Sequence, residues 1–118
     1  MLTGKFARQP QLTADDKRPT TVLFDPAIWP HVYAGVEKLK VLASGVGRSL
    51  NHLAIRWVLQ QPAIDTAVVG ARIPAQVADN ANALTGDLPA DLFAQMTAIS
   101  DEVMGYIPDT GNQYRYYP

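Results

Sequence analysis

Thr66-Ala67-Val68-Val69, running into Gly70, is the only convincing strand signal in this sequence. A lone strand constrains a chain more than any helix does. A helix pairs its own backbone, whereas a buried strand needs a neighbour for its N–H and C=O groups. Nothing else in the chain reads as that neighbour. Either a second polypeptide completes a sheet around this run, or the segment is not a strand here.

The remaining signals are helical. Val32, Val36, Leu39 and Ala43 fall on one stripe, with Gly45 and Gly47 as the stop. Ser49 is placed to cap a second helix, in which Leu50, Leu53, Ala54, Trp57 and Val58 follow the i, i+3, i+4, i+7, i+8 rule until Pro62 ends it. Pro74 suits the first turn of a third, with Val77, Ala81 and Leu84 inward and Gly86 as terminator. A fourth follows Pro89, its stripe being Leu92, Met96, Ile99 and Val103. The expectation is a mainly α chain with one short strand: helices near 31–45, 49–61, 74–84 and 90–103, and a strand at 66–69. Residues 1–30, with Pro10, Pro19, Pro26 and Pro30 and no apolar period, read as a long loop of the kind that serves as a lid or binding segment. Residues 104–118 read as an irregular tail in which Tyr106, Tyr114, Tyr116 and Tyr117 need a surface.

Composition narrows the partners. With 118 residues the chain has room for one core, and 47% hydrophobic against 18% charged residues is far from the signature of disorder. A formal net charge of −1 provides no field for nucleic acid or anionic lipid. Without cysteine there are no disulfides, thiolate nucleophiles or zinc-thiolate sites. The N-terminus has no apolar run of the signal-peptide kind, and no stretch approaches the ~20 apolar residues of a membrane helix, so the expected location is cytoplasmic.

The chemistry concentrates at Val69-Gly70-Ala71-Arg72-Ile73-Pro74, a turn into a helix. Free N–H groups, the positive end of a helix dipole and a guanidinium together favour a phosphate. Gln76, Asp79 and Asn80 follow at helical spacing and offer hydrogen bonds to a ribose or an adenine. On spacing alone, a tight turn and a solvated helix face account for the same residues, because no P-loop or G-x-G-x-x-G pattern is present.

The blocks Leu53-Ala54-Ile55-Arg56-Trp57-Val58-Leu59-Gln60-Gln61-Pro62, Ala67-Val68-Val69-Gly70-Ala71-Arg72 and Gln76-Val77-Ala78-Asp79-Asn80, preceded by Leu2-Thr3-Gly4-Lys5-Phe6, carry a resemblance. In order and spacing they resemble the closing segments of NADP-dependent aldo-keto reductases of the bacterial and potassium-channel β-subunit-like branch, from Leu2 to about Val103. The resemblance implies the C-terminal portion of a (β/α)₈ barrel with a nicotinamide cofactor across the C-terminal ends of its strands. Thr66 to Val69 would be the eighth strand, residues 1–30 the cofactor-side loop after strand seven, and residues 31–103 the helix pair, strand eight and two helices. Gly70 and Arg72 would contact the 2′-phosphate of NADP(H), Gln76 would lie by the adenine or phosphate, and Asp79 and Asn80 would bond the adenine edge. Lys5 and Arg18 would reach the pyrophosphate. Some relatives have a Lys-Ser pair where this chain has Gly70-Ala71, which leaves Arg72 as the main cation of the turn.

In that family a hydride passes to a carbonyl carbon while a tyrosine, helped by lysine, aspartate and histidine, protonates the oxygen. Those four residues lie on early strands, so no catalytic residue is assigned to this chain. The isolated chain is expected not to reduce carbonyls, and its expected partners are the cofactor and either the missing N-terminal barrel portion or another copy of itself. His31 and His52 read as surface residues without an adjacent carboxylate, and Tyr33 as a packing residue. Two other readings compete. Leu42 to Leu50 superficially resembles a helix-turn-helix, but the following helix offers one basic residue, Arg56, to base edges. The other is a non-catalytic helical fragment that acts through self-association or partner binding.

Overall fold

The computed structural model describes residues 2–109, and four helices carry the fold: α1 (Trp29–Gly45), α2 (Leu50–Leu59), α3 (Pro74–Asn82) and α4 (Leu92–Met104). The expected strand is absent. No strand forms among the described residues, and 66–69 runs as irregular backbone with Val68 98% exposed and Val69 40% exposed. The physical reason is the one the sequence posed: no second strand forms among the described residues to pair with it. Of the expected tyrosine tail, Tyr114, Tyr116 and Tyr117 lie outside the described residues; Tyr106 stacks on the half-buried His31 at 3.6 Å between ring centroids.

Residues before α1 are irregular apart from two 3₁₀ turns, Arg18–Thr20 and Val22–Phe24. In this loop the Thr13 hydroxyl, and after it the backbone N–H of Asp15, hold the Asp15 carboxyl below the usual carboxylate range. Aromatic packing ties the segment down. Phe24 stacks on Trp29 with centroids 4.8 Å apart, Phe6 meets Phe24 edge-on at 5.3 Å, and the Trp29 indole N–H donates to the Arg8 carbonyl at 2.8 Å. Val22, Ile28, Trp29 and Val32 form a buried cluster beneath these rings.

The main core lies where α1, α2 and α4 converge: Val36, Leu39 and Ala43 from α1, Leu50 and Leu53 from α2, Leu92 and Met96 from α4. The predicted stripe of α1 is buried in full, and α4 buries Leu92 and Met96 with Ile99 and Val103 half-buried. On α2, Leu50 and Leu53 are buried while Ala54 and Trp57 are half-buried and Val58 is exposed. Trp57 meets its polar requirement by donating its indole N–H to Thr97 on α4 at 3.0 Å. The α3 stripe is corrected by the structure. Val77, Ala81 and Leu84 face solvent, Val77 at 59% and Leu84 at 60%, and Ala83 at the C-terminal end of α3 is the buried residue. Among the described residues no apolar layer lies over that face, so periodicity alone chose the wrong side.

The ends of the helices follow from local chemistry. Gly47, at φ 64°, closes α1: its N–H donates to the Ser44 carbonyl at 3.1 Å, and the Arg48 N–H donates to that of Ala43 at 2.9 Å, the Schellman pairing. Ser49 caps α2 by accepting from the His52 N–H at 3.2 Å. The loop after α3 is pinned from α2 and the turn before it, with Arg56 donating to the Gly86 carbonyl at 2.6 Å and Arg48 to that of Thr85 at 2.5 Å. Arg56 is therefore committed to protein carbonyls. That removes the one basic side chain the helix-turn-helix reading relied on.

Gly35 sets how closely α1 and α4 approach. A Cβ built there would stand 2.5 Å from Cγ2 of Val103, a distance that real Cβ atoms do not tolerate. Val103 is β-branched and stiff at χ1, so relief must come from separating the helices. Gly35→Ala is expected to cost about 1–3 kcal/mol, the range of core overpacking, less what alanine gains in helix propensity. A thermal melt of the variant that matches or exceeds the wild type would show the contact to be soft. Among the described residues, no helix is long and apolar enough to cross a membrane.

Candidate functional site

A hollow of about 800 Å³ opens between the N-terminal segment, the start of α2, the 70–72 turn and the first two turns of α3. Its lining includes all seven residues singled out from the sequence: Lys5, Arg18, Gly70, Arg72, Gln76, Asp79 and Asn80. Residues separated by as many as 75 positions are thus brought to one surface. Three cations lie around it and one carboxylate, Asp79. A separate apolar cavity of about 180 Å³, lined mainly by α1 and α4, includes none of these residues.

Each side chain is positioned by identifiable forces. Arg18 pairs with Asp16 at 2.8 Å, and its guanidinium lies 5.1 Å from the centre of the Phe6 ring; the Lys5 ammonium lies 5.2 Å from that centre. Phe6, itself held by Phe24 and Trp29, gathers two cations on one ring. Pro74 starts α3, with Ile73 as an extended N-cap lacking a side-chain acceptor. Gln76 supplies what the cap does not: its Oε1 accepts from the Arg72 N–H at 2.7 Å. The turn therefore presents fewer free N–H groups than the sequence suggested. The Arg72 guanidinium itself makes no hydrogen bond to a described residue and is exposed. Gly70 does not have a left-handed φ, and a Cβ there would meet nothing within 4 Å, so the chain's own packing does not require glycine.

His52 corrects the sequence reading most clearly. It is buried, at 7% exposure, and its Nε2 lies 2.9 Å from Asp79 Oδ1, so it has a carboxylate beside it. Beside that pair, Asn51 Nδ2 donates to Asn80 Oδ1 at 3.0 Å. Two polar dipeptides, Asn51-His52 on α2 and Asp79-Asn80 on α3, thus dock the helices where apolar packing is missing. Asn51, Thr3 and Ala71 also line the hollow and were not singled out from the sequence. The available signal was the polar pair just after the Ser49 cap. It lies off the apolar stripe, and only the fold shows what it faces.

Comparison with known proteins gives the same family as the sequence blocks. Residues 1–101 match the Aldo/keto reductase family. The chain is 37% identical over 78 residues to the aldo-keto reductase YhdN of Bacillus subtilis (strain 168), covering 65% of this chain and 24% of that protein. It is 26% identical over 73 residues to a protein of the voltage-gated potassium channel subunit beta type from Schizosaccharomyces pombe, covering 62% of this chain and 21% of that one. The chain therefore spans about a quarter or less of the length of these relatives. No solved structure matches it. With the match running through most of the sequence, including every residue that lines the hollow, this chain belongs to the aldo/keto reductase family.

Proposed function

We propose that the hollow takes the adenosine 2′-phosphate end of NADP(H), and that the chain is the cofactor-gripping C-terminal portion of a (β/α)₈ reductase barrel. The observation that carries this reading is the convergence of Lys5, Arg18 and Arg72 with Asp79 and Asn80 around one opening. Cations meet phosphates, and an amide beside a carboxylate meets a base edge that both donates and accepts. In this reading residues 1–30 form the cofactor-side loop, 31–103 the barrel segment with 66–69 as its last strand, and 104–118 a tail. The cofactor, when bound, supplies the hydride. The chain's own residues bind and orient it: Arg72 at the 2′-phosphate, Lys5 and Arg18 toward the pyrophosphate, Gln76 holding the turn. No proton donor for a carbonyl is assigned within the chain, so carbonyl reduction is a property of the completed barrel, and a cytoplasmic location belongs to the same proposal.

The test is a titration of the chain, followed by NMR, with NADPH, NADH and adenosine 2′-monophosphate. Shifts confined to residues lining the hollow, stronger with the two 2′-phosphorylated ligands, are the expected result. Equal response to NADPH and NADH would reject the 2′-phosphate site.

A second reading concerns association, and one feature favours it. Ile64, Val68, Val69, Ile73 and Val77 are exposed along a single stretch whose backbone at 66–69 has no ladder partner among the described residues. Such a stretch is satisfied by strands from the rest of a barrel. Light scattering across a concentration series separates that partner from self-association: growth of mass with concentration in the pure chain would assign the surface to another copy.

A further inference from the structure

The apolar cavity of about 180 Å³ lined mainly by α1 and α4 has no part in the proposed cofactor site. Val32, Val36 and Leu39 of α1 and Met96 of α4 are its buried walls. The half-buried Ile107 and the exposed Met104 also line it, so its open side faces the C-terminal end of α4. One polar group stands in this lining without a partner: the Ser100 hydroxyl makes no hydrogen bond to a described residue, whereas the Trp57 indole N–H is already given to Thr97 at 3.0 Å.

Size and chemistry together specify what such a space holds. An apolar cavity of about 150 Å³ accepts a benzene ring. With two thioethers in the walls, which adapt to aromatic edges, and one free hydroxyl, the complement is a flat apolar body with a polar tip. That is a phenol.

The chain carries phenols close by. Asp109, the last described residue, follows Ile107 of the lining by two positions, and residues 110–118 contain Tyr114, Tyr116 and Tyr117. Gly111-Asn112 is a pair that permits the backbone to reverse, and Tyr114 is the first ring beyond it. The seven positions from Ile107 to Tyr114 span at most about 25 Å, ample for a return to the opening that the chain has just left.

We propose that the cavity is the seat of the chain's own segment 110–118, with the Tyr114 ring entering it and the Tyr114 hydroxyl meeting that of Ser100. Tethering favours this occupant over a second copy. A short flexible tether holds its ring at an effective concentration of about millimolar, above that of any second copy in an ordinary dilute solution, and the value falls as the tether lengthens toward Tyr116 and Tyr117. The two openings share no lining residue, so a ring seated here leaves the hollow as described.

The experiment uses the full chain and p-cresol, the tyrosine side chain as a free molecule. Binding is followed by NMR at the methyl groups of Met96 and Met104, in wild type and in Tyr114→Ser, Tyr114→Phe and Tyr117→Ser. Tyr114→Ser is expected to bind p-cresol roughly 3-fold or more tighter than wild type, because a tethered ring no longer competes for the site. Its Met96 methyl resonance should shift, and saturating p-cresol should bring it back toward the wild-type position. Tyr114→Phe, which keeps the ring, and Tyr117→Ser should both behave as wild type. Equal affinity in wild type and Tyr114→Ser overturns the inference, as does an effect of Tyr117→Ser as large as that of Tyr114→Ser. If neither wild type nor Tyr114→Ser binds p-cresol, the cavity does not take a phenol, which overturns it as well. Competition in wild type that fades on dilution of the protein gives the seat to a second copy and overturns the assignment to the chain's own segment.

Discussion

Arg72→Ala is expected to weaken NADPH by roughly 10- to 150-fold while changing NADH much less. Arg72 is exposed at the rim of the hollow, its guanidinium is not engaged by any described residue, and its own backbone N–H is already occupied by Gln76 at 2.7 Å. Its side chain is therefore available to a ligand. A charge-assisted hydrogen bond to a phosphate is worth about 1.5–3 kcal/mol, which converts to that range of affinity. Because no fold contact of the guanidinium is lost, the melting temperature should stay near that of wild type. NADH lacks the 2′-phosphate and so supplies the control within the same experiment. The measurement is a paired titration with both cofactors, made on the chain joined to the remainder of a related barrel so that the nicotinamide half has walls. Equal weakening of both cofactors would remove Arg72 from the 2′-phosphate and place it on the pyrophosphate or outside the site.

The largest effect on stability is expected at Leu53, which is fully buried at the meeting point of α1, α2 and α4. Leu53→Ala removes the branched end of the side chain and leaves a cavity that three helices must collapse to fill. Substitutions of this kind cost about 2–5 kcal/mol, a large part of the roughly 5–15 kcal/mol that holds a domain together. A fall in Tm of roughly 10 °C or more follows. Val68, 98% exposed, supplies the contrast: Val68→Ala should stay within about 0.5 kcal/mol of wild type. If Val68→Ala instead destabilises as much as Leu53→Ala, the 66–69 segment is packed against something in solution, and a bound partner or second copy is the place to look.

What could be read from the residues alone divides along a physical line. The stripes of α1 and α4 were legible because Val32, Val36, Leu39 and Ala43, and Leu92 with Met96, bury apolar surface that the chain itself can cover. The Ser49 cap and the Gly47 stop were legible because their chemistry is local. Three readings failed where the outcome depended on something across the fold. Thr66 to Val69 has the composition of a strand, but a strand is a relation between two segments, and the described residues hold only one. Val77, Ala81 and Leu84 have helical spacing, yet α3 lies against α2 through Asn51–Asn80 and His52–Asp79 instead of through that stripe. His52 was misjudged for the same reason. Its carboxylate is 27 residues away and comes close only when α2 and α3 pack together.

The bare stretch between α2 and α3 has a further consequence for how the molecule comes apart. From Ala63 to Ile73 the backbone is mostly exposed and joins no helix or sheet, which is the condition under which a protease can fit a chain into its cleft. A cut there does not divide the core, because Leu92 and Met96 of α4 pack with Leu53 of α2 and Leu39 of α1 from the other side of the break. Arg48 and Arg56 also keep their hold on the Thr85 and Gly86 carbonyls across it. The two pieces would remain a nicked complex held without a covalent link. The expected first break point is thus the segment that in the proposed barrel would be the last strand.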